Sequence, residues 1–262
     1  MSQVIGPARL LARLEPFTHS LMDAAQTIRD AVARVAALRA AALADPALAA
    51  NIGQVKQFQA QRFARTYADI LSAGPYQGAA RFFVDELYSD KDYTLRDAQF
   101  SRIAGALQTF FPKHVVTTAV ALAQLHALIE EIDHEMGRAW LADGAGNGDD
   151  DLSRYVSAWR VVGRREDRAR QLGSVLEVGR ELDRLTRMPG LRLTLSLMRR
   201  PAQAAGLSSL QGFLESGFDT FARMSGKGER ARSFLALIQT RETALMDALF
   251  SGDLTLVRAC LR

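Results

Sequence analysis

Apolar positions in this chain recur at helical spacing almost from end to end. Leu21, Ile28, Val32, Val35 and Leu38 fall 3, 4 and 7 residues apart, the repeat that gathers side chains on one helix face. Residues 16–45 are therefore predicted as a helix, with Pro16 in its first turn, where a missing N–H is tolerated, and Pro46 at its end. Ile52, Val55, Phe58, Phe63, Tyr67, Ile70 and Leu71 continue the pattern in a second helix, which Gly74-Pro75 stops, the usual order of helix-ending residues. A third helix carries Phe82 and Phe83, a fourth runs from Thr94 to about Phe111, and a fifth runs from near Pro112 to about Ala142.

"DGAGNGDDD" (143–151) is rich in glycine and acid and reads as a flexible linker. Beyond it come a long helix near 152–187, a shorter one over "LRLTLSLMRR", and two more over "SSLQGFLESGFDTFARM" and "ERARSFLALIQTRETALMDALF". "LRLTLSL" alternates as a strand would, but a lone strand has no neighbour to pair with, so helix is favoured. The pattern predicts an all-α bundle of about 8–10 helices with no significant sheet. It forms one compact domain over 1–262, with 1–142 and 152–262 as halves joined by the 143–151 linker.

A chain of 262 residues, 48% hydrophobic, can bury a large core. No stretch approaches the roughly 20 consecutive apolar residues of a membrane span, and the first residues lack the apolar run of a signal peptide. A cytoplasmic location is therefore expected. Cys260, the single cysteine, excludes an intrachain disulfide and a cysteine-rich metal site; it reads as the apolar edge of a last short helix. The net charge of +4 is unevenly spread, because the arginines concentrate after residue 151. "GRREDRARQ" (163–171) interleaves Glu166 and Asp167 with its arginines, so Glu166–Arg170 and Asp167–Arg170 pairing makes it a solvated face. Anion or nucleic-acid binding through these arginines is the competing reading.

The densest stretch is "ARFFVDELYSDKDYTLRDAQF" (80–100). On a helix Ala79, Phe83 and Leu87 share a stripe, with Val84 and Tyr88 beside it. Arg81 and Asp85 are spaced to pair. Thr94 and Asp97 have the spacing of an acidic capping box, Asp90 and Asp92 can accept turn N–H groups, and Arg96 can reach back to a carboxylate. The stretch is a structural corner or a ligand site built from Phe82, Phe83, Asp85, Glu86, Tyr88, Lys91, Asp92 and Arg96.

This stretch resembles the signature of a family of uncharacterised proteobacterial proteins named for their FFLEELY motif. Phe82, Phe83, Glu86, Leu87, Tyr88, Lys91 and Asp92 match it, while Val84, Asp85, Ser89 and Asp90 depart from it. "LMRRPAQAAGLSSLQGFLESGFDTFARM" (197–224) is similar to a second block of the same family. The resemblance implies a helical, cytoplasmic bacterial protein and carries no activity with it.

"LHALIEEIDHEMGRAW" (125–140) places His126 and Glu130 four residues apart, and Glu131 and His134 three apart, on roughly one side of a helix. Glu-x-x-His is di-iron spacing, but a di-iron bundle uses two such motifs and two further glutamates. Only His134 closes one here. Haem or a metal on His126, Glu130 and His134 is the rival to the bland reading, a satisfied histidine at the core boundary. There is no Gly-Lys-Ser/Thr of a P-loop, no G-x-S-x-G and no Cys-x-x-Cys. "GAGNG" (144–148) has no strand before it and reads as linker.

Phe213, Phe218, Phe221, Met224, Phe234, Met246 and Phe250 fall at helical spacings and read as core, with an apolar pocket between helices as the alternative. Gly212 and Gly217 each cost about 1 kcal/mol mid-helix, which close helix approach or a ligand would offset. Together these patterns predict a non-enzymatic protein. It acts by contact with an unidentified protein partner or a second copy of itself, or by holding an apolar ligand between helices, and no cofactor is implied.

Overall fold

The computed structural model describes residues 7–86, 93–142, 151–225 and 229–261, with side chains from Ala24 onward, those of Glu86, Phe110 and Ser225 excepted. Among them every regular element is a helix. The first half holds α1 (Pro7–Leu43), α2 (Pro46–Thr66), α3 (Ala68–Ser72), α4 (Gln77–Glu86), α5 (Thr94–Phe110) and α6 (Lys113–Ala142). The second holds α7 (Asp151–Val162), α8 (Arg165–Thr186), α9 (Leu191–Leu197), α10 (Arg199–Ala204), α11 (Ser208–Ser225), α12 (Arg230–Ser251) and α13 (Leu254–Cys260). The expected linker, apart from Asp151, lies outside the described residues.

The all-α prediction holds, and "LRLTLSL" is helical. Several boundaries move. Helix α1 starts at Pro7, so Pro16 lies inside it. Helix α2 starts at Pro46, ahead of the first apolar position Ile52 read from the pattern, because the Asp45 carboxylate accepts from the N–H groups of Ala47 and Leu48 and Pro46 follows that cap. Three helices expected as single rods are each broken in two, which accounts for most of the excess over the expected number. The second breaks at Tyr67, the ring of which is fully buried against Phe63. The rod expected over 152–187 breaks at Gly163 and Arg164, both in the left-handed region at φ 62° and 57°. The shorter one breaks at Met198, and Pro201 then sits within the first turn of α10 rather than after a helix.

Helix α6 is the central element, packed against α1, α2, α7 and α8. By length and composition it is the one single helix among the described residues apolar enough to cross a membrane. Here its apolar faces meet those neighbours instead. On one side an alanine-rich layer joins α1, α5 and α6 through Ile28, Val35, Ala104, Leu107 and Ala123. The small side chains let three helices approach closely. On the other side Val55, Ile132, Met136, Trp140, Tyr155, Trp159 and Leu245 join α2, α6, α7 and α12. The close approach of α2 is set by Gly137, where an added Cβ would lie 2.4 Å from Ile52 Cγ1 and 3.2 Å from the Ile52 backbone.

A third cluster contains the aromatic pair of the 80–100 stretch. Phe83 stacks on Phe63 at 6.4 Å and meets Phe234 edge-on at 5.7 Å, while Phe82 stacks on Phe213 at 6.0 Å. Phe221, Met224 and Leu176 complete it. Residues from both sides of the 143–150 segment thus share two of the three clusters. Gly217 faces Phe82, with an added Cβ 3.3 Å from Cζ, so close packing does offset its helix cost. Gly212 has nothing within 4 Å and has no such reason.

Candidate functional site

Three groups of polar side chains lie on or beside α6. The first contains the residues singled out by sequence. His126 Nε2 lies 3.0 Å from Asp97 Oδ2. Arg39, reaching in from α1, donates to Asp97 at 2.9 Å and to Glu130 at 3.1 Å. Lys56 of α2 donates to the other Glu130 oxygen at 2.9 Å. Burial alone would raise the Asp97 carboxyl, but its His126 bond and the charges of His126 and Arg39 outweigh that and hold it below the usual carboxylate range. Glu130 is likewise raised by burial, then carried below its ordinary value by Lys56 and Arg39.

Asp97 therefore does not close a capping box. Thr94 is already the first residue of α5, Tyr93 at the cap position makes no side-chain capping hydrogen bond to the helix, and the Asp97 carboxylate is turned inward to Arg39 and His126. The half-buried Arg39 guanidinium offers the carboxylate a charge-assisted bond that is stronger than one to an exposed backbone N–H. Arg96 stacks over the rings of Tyr93 and Phe213, at 3.9 Å and 4.5 Å from their centroids. Of the other 80–100 candidates, Phe82 and Phe83 are core, Asp85 is exposed on α4, and Glu86 is its last residue. Leu87, Tyr88, Ser89, Asp90, Lys91 and Asp92 lie outside the described residues.

A second group, which sequence reasoning missed, lies deeper. Gln59 donates to Asp133 at 3.0 Å, and Arg62 clasps Glu242 with bonds of 2.6 and 2.9 Å. The Tyr67 hydroxyl donates to the same Glu242 carboxylate at 2.9 Å. Burial raises Asp133 and Tyr155. Burial also pushes the Arg168 guanidinium down to about 10, against the opposing pull of Tyr155 and Asp133. That guanidinium lies 3.3 Å over the Trp159 ring, which shields a weakly hydrated cation. The available signal was the run of ionisable residues Glu130, Glu131, Asp133, His134 and Glu135 after the apolar middle of the helix. Nothing local marks Arg62 or Arg168.

The third group lines a cleft of about 340 Å³ between α1 and α6. Arg34, Ala37, Leu38 and Ala41 come from α1, and Glu131, His134, Glu135 and Arg138 from α6. Glu131 is bonded by Arg34 at 3.2 Å and by Arg164 at 3.0 Å, and Glu135 by Arg164 at 2.8 Å. The left-handed Arg164 thus clamps the start of α8 to α6, which repays the cost of its backbone. Burial and the nearby Arg138 charge push the His134 imidazole below its ordinary value. Glu131, the acid of the Glu-x-x-His spacing, is thus bonded by arginines. His126 and Glu130 share Arg39, whereas His134 faces the cleft, so the three weak metal candidates are not brought together as one set. Among the described residues no three His, Cys, Asp or Glu side chains group as metal ligands.

The arginines after residue 151 are mostly paired. Arg165 binds Asp247, Arg180 binds Glu177, Arg184 binds Glu181, Arg187 binds Asp183 and Arg199 binds Glu215. Arg170 binds Asp167 as expected from sequence, and Arg164 shares that carboxylate.

A family model described as a domain of unknown function, DUF8198, matches residues 38–255. The chain belongs to that family. The DUF8198 match covers α2 to α12 in full, and with them most of the three polar groups. No curated protein and no solved structure matches the chain.

Proposed function

We propose that this DUF8198 protein is a non-enzymatic, cytoplasmic binding protein that holds an apolar ligand between α1 and α6. The observation that carries this is the cleft of about 340 Å³, lined by Ala37, Leu38 and Ala41 of α1 together with charged side chains of both helices. That size and lining suit a small molecule. The acids and bases most like catalytic groups, Asp97, His126 and Glu130, are committed to Arg39 and Lys56. The second-half phenylalanines support the cleft over a pocket among themselves, because Phe218, Phe221 and Phe234 are buried in packed core. Phe82 and Phe83 of the FFLEELY-like stretch then serve as an anchor in the core.

Native mass spectrometry of gently purified protein tests this, together with an absorption spectrum and metal analysis. A bound small molecule released by Ala41→Trp supports it. A Soret band or metal lost in His126→Ala would establish the rival haem or metal reading. A turnover that vanishes on changing Asp85, Tyr88 or Asp92 would establish an enzyme.

A second reading, contact with a protein partner, has its own observation. Met188, Leu193, Leu197, Met198 and Leu214 are exposed around α9, and α9 buries no residue fully. Leu193→Ser with Leu197→Ser would abolish such contact and leave the fold stable.

A further inference from the structure

The lining of the α1/α6 cleft separates into groups already used and groups left over. Arg34 is spent on Glu131, and both Glu131 and Glu135 are bonded by Arg164. Arg138 and His134 remain. Among the described residues no hydrogen bond or ion pair engages either side chain; His134 is 5% exposed as a whole residue, yet neither ring nitrogen is among the buried atoms without a partner, so the ring is open to the cleft that it lines. A ligand atom entering the cleft can therefore reach the imidazole, which offers one N–H donor and one acceptor when neutral. Arg138 presents a planar pair of N–H donors of the kind that fits a carboxylate.

Across the cleft from them, α1 offers the methyl groups of Ala37 and Ala41 and the side chain of Leu38. Both alanines are exposed, so the apolar side of the cleft is open rather than filled. We propose that the cleft binds a free aliphatic carboxylic acid of medium chain length, its carboxylate on Arg138 and the His134 ring, its chain along Ala37, Leu38 and Ala41. This rests on the ligand-holding function above and names the chemical class of the ligand.

Charge decides against a phosphate. Glu131 and Glu135 flank the cationic end, and they would repel a dianion more than a single carboxylate. Size favours a free acid over a peptide terminus, because about 340 Å³ is near the lower end of small-molecule sites.

The test is isothermal titration calorimetry of the full chain with sodium octanoate, 1-octanol and a leucine-rich peptide with a free C-terminus. Arg138→Gln and Ala41→Trp are run alongside, each checked for native helicity by circular dichroism. Octanoate is expected to bind one to one, to lose about tenfold or more in affinity in Arg138→Gln, and to lose all binding in Ala41→Trp. Octanol is expected to bind much more weakly than octanoate. Equal binding of octanol and octanoate, unchanged by Arg138→Gln but lost in Ala41→Trp, would overturn the carboxylate assignment and leave the ligand-holding function standing. Tighter binding of the peptide than of octanoate would overturn the free-acid assignment. No binding by any probe to the folded protein would overturn this inference, while a different small molecule found in the native mass spectrum would still uphold the function.

Discussion

Arg62 and Glu242 meet across 180 positions of the chain, and the contact shows how single residues carry weight here. Arg62 is buried, its guanidinium donates to both carboxylate oxygens, and the Tyr67 hydroxyl donates to one of them. Removing one member leaves a charge in the interior, which typically costs about 3–5 kcal/mol. Arg62→Ala is therefore expected to lower the urea midpoint by an amount near that range. Arg62→Met with Glu242→Leu should recover much of the loss, since an apolar pair of similar volume restores packing without stranding a charge.

Asp97 and Glu130 give the residue scale a pH signature. Their folded carboxyls are held below the ordinary range, so the unfolded chain takes up protons first. Their contribution is full above about pH 5 and is lost as pH falls through the folded values. Asp133 is raised and works the other way, its contribution falling as pH rises. Stability measured from pH 6 down to about pH 3 should thus decline, and Asp97→Asn with Glu130→Gln should be less stable at pH 6 but show a flatter decline. An unchanged slope would remove the pairs from the acid response.

At the scale of elements, glycine separates packing from propensity. Gly137 lies where α2 presses on α6, and a methyl group there would collide with Ile52. Gly137→Ala should destabilise by about 1–3 kcal/mol despite alanine's better helix propensity. Gly212 is exposed within α11 with nothing within 4 Å, so Gly212→Ala should stabilise by up to about 1 kcal/mol. Thermal melts of the two variants should move in opposite directions. The sequence saw both glycines of "LQGFLESGF" as costly and could not rank them, because the ranking depends on Phe82 of α4, more than a hundred residues away.

Helix breaks follow the same logic. Periodicity located every long helix, since apolar spacing reports the face that must be buried. It ran through Gly163-Arg164, because "GRRED" keeps good helix formers on both sides. The break is held by Arg164 reaching Glu131 and Glu135, partners about thirty residues upstream on another helix. Asp97 was assigned to its own helix end for a similar reason. Local spacing shows the nearest N–H groups and cannot show that Arg39 arrives from α1.

At the scale of the whole molecule, two of the three core clusters draw on both sides of the 143–150 segment. Phe63 and Phe83 pack with Leu176 and Phe234, and Ile132 and Trp140 with Tyr155 and Leu245. A protease site engineered into 143–150 and cut in the native protein should therefore leave both fragments co-eluting on gel filtration. Fragments that separate in native buffer would show that the halves fold apart.

Sequence alone determined the helical class, the order of the helices and the aromatic anchor at Phe82 and Phe83, because each is written in spacing of a few residues. It also marked His126, Glu130 and His134 as unusual on an apolar helix. Only the tertiary structure decided what those residues do: His126 and Glu130 were drawn to Arg39 and Lys56, and His134 was turned into the α1/α6 cleft. Partner choice for a buried charge is settled by whichever opposite charge packing brings within hydrogen-bonding distance, and that distance is a property of the folded chain.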